Sequence, residues 1–189
     1  MPNEAVEPYA AGAARFTADV RHGEDKAMSN WEECARLTAV VFAPLEERFG
    51  FNRLPPSEPF IHYDSSRLRV SIFFDTTRGC ELDLGIMRKR DVGTAKPSYG
   101  LSALLALHDP DEWASYRSAT PPNTAALQAA LEKMKNLLLK HGTSLLSGNE
   151  TDLDDSDRLD REIEGELAKH KAPYMDTVRQ VVLKHHRRA

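Results

Sequence analysis

The chain has 189 residues, of which 41% are hydrophobic, 29% charged and 7% aromatic. That length fits one domain with an appendage, and the charged fraction is that of a globular chain rather than a disordered one. Twenty-five Lys and Arg against 29 Asp and Glu leave a formal net charge of −4, which speaks against nucleic acid as a partner, and no apolar run approaches the roughly 18 residues a membrane-spanning helix needs.

Residues 1–28 read as an N-terminal arm. Tyr9, Ala13, Phe16 and Val20 fall at helical spacing, which allows either a short docking helix or a mobile arm. Glu4 and Glu7 stand where a secretory signal would carry Lys or Arg. Cys34 and Cys80 lack any Cys-x-x-Cys pattern or nearby His-Cys grouping. Buried thiols and a cytoplasmic location are therefore expected.

Ser29 with Glu32 three residues on reads as a capping box that opens the first helix. Trp31, Ala35, Thr38, Phe42, Leu45 and Phe49 then share a face, and Gly50 is placed to end it. Pro44 inside this pattern predicts a kink or a split near Phe42.

After Leu54-Pro55-Pro56 the period changes to two, giving strands at about 58–64, 67–75 and 80–88 joined by short turns, an antiparallel meander. Pairing Asp64 with Arg67 and Phe74 with Cys80 puts Ile61, Tyr63, Leu68, Val70, Ile72, Leu82, Leu84 and Ile86 on one face. A slip of one residue would turn all of them over.

A short helical segment follows at Leu101–His108, then a turn with Trp113 and Tyr116. The next helix is capped by Asn123 or Thr124, carries Leu127, Leu131, Met134 and Leu138 on one face, and is expected to end at His141 and Gly142. Beyond Gly148 nine acidic residues crowd between Glu150 and Glu166, followed after Pro173 by a basic helix with Arg179, Lys184, Arg187 and Arg188. This is a hairpin or an extended arm, with Leu159, Ile163 and Leu167 as its apolar seam. The fold class is thus α+β: a three-stranded antiparallel β-meander packed by helices 29–50 and 123–141, in a core domain 29–148, with a charged C-terminal helical extension 149–189.

Recognised catalytic patterns are missing. The acidic run fails as a calcium loop, having Asp157 where Gly is needed and Ile163 where a bidentate Glu is needed. The chain contains no phosphate-cradling glycine loop, no nucleophile elbow and no zinc signature. No metal or cofactor is expected. His108-Asp109-Pro110-Asp111-Glu112 gathers one imidazole and three carboxylates at a helix boundary, where capping is the simplest role.

The second face of the sheet is the more telling feature. The alternation directs Phe60, His62, Arg67, Arg69, Ser71, Phe73, Glu81, Asp83 and Met87 away from the core, with Phe73 opposite Glu81 and Arg69 diagonal to Asp83. Aromatics, Met and Arg are the residues that interface cores enrich. The same face holds an alternative, a small hydrolase or metal-dependent enzyme using His62 with Glu81 and Asp83. Cover by the terminal segments is the plainest reading.

The pieces LEERFGF, YDSSRLRVSIFFDTTRGCELDLGI, SYGLSALLALHDPDEWASYRSATPPN and the helix running to KHGTSLLSG together resemble a type of small bacterial α+β domain, some members of which are assigned as immunity proteins of toxin systems. The resemblance spans Trp31 to about Gly148 and implies a helix–three strands–helices order with inhibitory protein binding. It transfers no active-site residues, and the arm and the charged extension depart from it. The expectation is a non-enzymatic protein-binding domain. Its contacts would be made by Phe60, His62, Arg67, Arg69, Phe73, Glu81 and Asp83 or by Asp154, Asp155 and Asp157, the acidic set suiting a basic partner such as a nuclease toxin.

Overall fold

In the computed structural model, which describes residues 24–75, 81–96, 98–169 and 173–187, the first helix breaks where Pro44 forbids it to continue. Helix α1 (Glu24–Val41) stops at Phe42, and α2 (Ala43–Phe49) restarts with Pro44 in its first turn, as the sequence pattern requires. Gly50, at φ 69°, closes α2 in the left-handed conformation. The start differs from expectation. Residues 24–28 contain neither Gly nor Pro, so the helix extends back to Glu24 and runs through Ser29 rather than being capped by it. The helical spacing of Tyr9, Ala13, Phe16 and Val20 lies outside the described residues, as does Cys80.

The sheet has five strands, not three, in the order β1 (Asn52–Arg53), β2 (Phe60–Asp64), β3 (Leu68–Asp75), β4 (Glu81–Arg88) and β5 (Tyr99–Gly100), antiparallel throughout. The two additions are two-residue edge strands, too short to carry any alternation in sequence.

All eight core-face residues of the meander are buried, none more than 1% exposed. The register nevertheless lies two residues from the one expected. Tyr63 pairs with Val70 and Ile61 with Ile72; across the next ladder Ile72 pairs with Leu84 and Val70 with Ile86. Turn chemistry accounts for the first shift. Ser65 Oγ accepts the backbone N–H of Leu68 at 3.0 Å and of Arg67 at 3.3 Å, while the Ser65 N–H donates to the Leu68 carbonyl. The turn is therefore centred on Ser66-Arg67, one residue later than Ser65-Ser66. Moving a turn by one residue moves the register by two and leaves each side chain on its own face. Reversing the faces would expose eight side chains at roughly 1.5–3 kcal/mol each, so burial fixes parity and the turn fixes register.

Over this face pack α1 and α2, then α3 (Leu101–His108) and α5 (Thr124–Leu146), contributing Leu37, Phe42, Leu45, Leu101, Leu105, Leu131 and Leu138 to one core. Asn123 caps α5, its Oδ1 accepting from Ala126 N at 2.9 Å. The helix does not end at His141 and Gly142 but continues to Leu146. A Cβ at Gly142 would lie 3.1 Å from methyls of both Leu104 and Leu138; this glycine serves the close packing of α3 on α5. The chain reverses at Gly148, whose φ of 98° suits glycine.

The C-terminal pair is a docked hairpin rather than an extended arm. Helices α6 (Thr151–Lys169) and α7 (Tyr174–His186) pack on each other and on α3, through Leu159, Ile163, Val181 and Val182 against Ala106 and Leu107, with Leu167 alongside. Leu153 at the start of α6 enters the main core. The His186 Nε2 donates to the Ala106 carbonyl at 2.7 Å. No described helix is long and apolar enough to cross a membrane.

Candidate functional site

The second face of the sheet carries an aromatic group built by cross-strand pairing. Phe60 pairs with Phe73 and His62 with Ser71. The Phe60 ring lies 5.3 Å from Phe73 and stacks 5.5 Å from His62 at 12°, and His62 Nδ1 is hydrogen-bonded to Ser71 Oγ at 2.8 Å. Phe60 is 38% exposed, one of the few large apolar side chains at the surface. His62, Arg69, Ser71, Phe73 and Met87 are half-buried beside it. Burial first, and then the neighbouring Arg69, hold the His62 imidazole below its ordinary pKa.

One flank of this group is an ion-pair clamp that the expected register did not reveal. Arg69 faces Asp64 across the ladder and grips it through two bonds of 2.7 and 2.8 Å, and Lys89 donates to the same carboxylate. The expected Arg69–Asp83 pairing does not form. Likewise Phe73 lies opposite Asp83 rather than Glu81, because of the two-residue shift. The Arg69 hydrogen bonds, with Lys89, lower Asp64 to about 2, although burial opposes them. A lowered carboxylate pKa contributes stability that is complete above the ordinary value of 3.8 and is lost as pH falls through about 2. Urea unfolding of the parent and of Asp64→Asn across a pH series should therefore show a stability gap that is constant above pH 4 or so and shrinks toward about pH 2.

His62, Glu81 and Asp83 are not brought together. His62 lies in the cross-sheet row of Ser71 and Gly85, Asp83 in that of Phe73, and Glu81 in that of Asp75. The whole of β3 separates His62 from β4, a spacing on the order of 10 Å. Asp83 instead accepts from Leu84 N at 2.8 Å, and burial raises its pKa. Arg67 also leaves the face, donating to the Gly148 carbonyl at 2.9 Å.

Three of the nine acids of the run are counter-charges to a single buried arginine. Arg88 continues the inward series of Leu82, Leu84 and Ile86 and is 2% exposed. Its Nε donates to Glu150 at 3.2 Å, Nη1 to Asp157 at 3.1 Å and Nη2 to Asp154 at 2.6 Å, while the Tyr99 hydroxyl donates to Asp157. Burial would raise the Asp157 carboxyl, but Tyr99 and Arg88 outweigh it and hold it low. Asp155 pairs within its own helix with Arg158 at 3.1 Å. The sequence signal was available: an Arg at an inward strand position needs buried counter-charge, and only an acidic segment could supply it.

A second cluster forms where α4 (Pro110–Ser115) meets α5 and α6. Asp109 caps α4, accepting from Glu112 N at 2.9 Å, as its position predicts. Donor atoms of Asp109, Glu112 and His141 lie within 4.8 Å of one another, a spacing compatible with a metal ion. The Lys140 ammonium already lies 2.8 Å from Glu112 and 3.3 Å from Asp109, and His141 Nε2 is 3.3 Å from Glu112. These bonds hold both carboxyls below their usual range, the Glu112 N–H leading for Asp109 and Lys140 for Glu112. Nearby, His108 Nε2 meets Asp152 Oδ1 at 3.1 Å. The cluster is a hydrogen-bonded helix cap that ties α4 to α5.

No protein-family model matches this chain, and neither a curated protein nor a solved structure matches it. What the fold and the site define is an α+β protein with an antiparallel sheet, helices over one face, and an aromatic and charged group on the other.

Proposed function

We propose that this chain is a non-catalytic protein-binding domain that reads its partner with the second face of the sheet, around Phe60, His62 and Phe73. The aromatic group, with Phe60 exposed and its ring in contact with both His62 and Phe73, supports this reading best. Aromatic anchors on a rigid frame carry most of the energy of protein interfaces, and ordering them in advance lowers the entropy lost on binding. The Asp64–Arg69 clamp supplies the frame, and Arg69 with Lys89 leaves one positive charge in excess of Asp64. The partner that fits presents an apolar side chain to the aromatics and a carboxylate toward Lys89. This replaces the basic partner suggested by the acidic run, since Asp154 and Asp157 are engaged by Arg88. An immunity-type inhibitor of a toxin is one form such a domain takes.

Parallel affinity captures with parent, Phe60→Ser, Lys89→Glu and Asp155→Lys baits, followed by measured Kd, test the reading. A partner that loses about tenfold or more in affinity for Phe60→Ser and for Lys89→Glu, but not for Asp155→Lys, supports it. A partner held equally by the first two, or lost only with Asp155→Lys, sinks it.

A further inference from the structure

A cavity of about 660 Å³ opens between the start of β4, the end of α4 and the N-terminal half of α7. It adjoins the aromatic group around Phe60, because Asp83 pairs with Phe73 across the ladder, but Phe60, His62 and Phe73 are not part of its lining, and it lies within the size range of small-molecule sites. Its lining includes the aromatic residues Trp113, Tyr116 and Tyr174 and Met175, with Asp83 from the sheet and Arg179 from α7. We propose that it binds a small aromatic zwitterion, the ammonium end on Asp83 and the carboxylate end on Arg179.

The charges are arranged for such a molecule. Asp83 is half-buried, and the hydrogen bond given to its carboxylate is the Leu84 N–H on Oδ1; burial raises its pKa, so a cation would relieve a desolvated group. Asp176, in the first turn of α7, adds a second carboxylate to the lining. Arg179 is exposed and makes no ion pair among the described residues. The other guanidinium of the cavity, Arg117, already donates to the carbonyls of Ala114 and Tyr116. Arg117 makes no ion pair among the described residues either, but two backbone carbonyls hold its Nη1 in place, whereas Arg179 has no hydrogen bond among them and can turn to an anion. Trp and Tyr faces favour both an aromatic ring and an ammonium group. Tyr174 and Met175 are 58% and 64% exposed at the mouth, apolar surface that an aromatic ligand would cover.

Titrations followed by backbone NMR shifts test this with phenylalanine, phenethylamine and 3-phenylpropionate as probes, so that the zwitterion, the cation and the anion share one ring. Phenylalanine is expected to bind tightest, shifting Ser102, Trp113 and Tyr174. Asp83→Asn should weaken phenylalanine and phenethylamine about tenfold each and leave phenylpropionate unchanged. Arg179→Gln, at an exposed position that leaves folding intact, should bring phenylalanine down to the level of phenethylamine without affecting the latter. The proposal is overturned by the lack of saturable phenylalanine binding up to about 10 mM, by phenylalanine binding no tighter than phenethylamine, or by indifference to both substitutions.

Discussion

Combining Glu150→Gln, Asp154→Asn and Asp157→Asn is expected to destabilise the protein by roughly 3–5 kcal/mol, the loss that follows when a buried ion is left without its counter-charge. Arg88 is the buried member of the group, its side chain 3% exposed, whereas its partners are 23%, 70% and 43% exposed. The two halves of the cluster should therefore respond unequally. Removing the acids strands a guanidinium where water cannot reach it. Removing the guanidinium in Arg88→Met leaves carboxylates that regain water, and the Met side chain fills the space of the lost stem; about 1–2 kcal/mol is expected. Adding Arg88→Met to the triple variant should then recover much of the stability. Urea denaturation measures all three, with the triple variant shifted by roughly 1–2 M. A triple variant less affected than Arg88→Met would show that Arg88 is solvated and that α6 docks by apolar contact alone.

The second large effect is expected at Phe42→Ala, at about 3–5 kcal/mol. Phe42 is fully buried at the break between α1 and α2, with its ring 6.2 Å from that of Tyr63. Tyr63 in turn donates to the Thr38 carbonyl at 3.2 Å, in the last turns of α1. One side chain therefore joins two helix ends to the central strands, and neither helix can follow a shrinking cavity without losing its other contacts. Calorimetry should show the melting temperature falling by roughly 6–20 °C, against almost no change for Val40→Ala, 66% exposed two residues earlier. A comparable loss at both sites would mean that burial of the Phe42 ring is not what holds the two helix ends to the sheet.

Several features were legible without coordinates because they depend on neighbours in sequence. Alternation placed Ile61, Tyr63, Leu68, Val70, Ile72, Leu82, Leu84 and Ile86 inside, and all are inside. Pro44 split the first helix, Gly50 ended its second half, Asn123 capped α5 and Asp109 capped α4. The outward residues Phe60, His62 and Phe73 were equally readable, since period two specifies both faces together. The features that were missed share a cause. Gly142 had the look of a helix terminator, but Leu104, from another helix, approaches it closely. Asp64 and Arg69 became partners only once the turn settled on Ser66-Arg67.

The sequence by itself determined the class of fold, the parity of the three long strands and several helix limits, because hydrophobic period, proline and capping groups act within a few residues. Register, the edge strands, the destination of the acidic run and the cavity beside Asp83 were decided by tertiary structure alone. Each rests on contacts between distant segments: Arg88 with Asp154, Tyr99 with Asp157, and the start of α7 lying near Asp83. The small net charge of −4 conceals the same distinction. Three of the nine acids between Glu150 and Glu166 surround one arginine more than sixty residues away in the chain, a pairing that only folding can make.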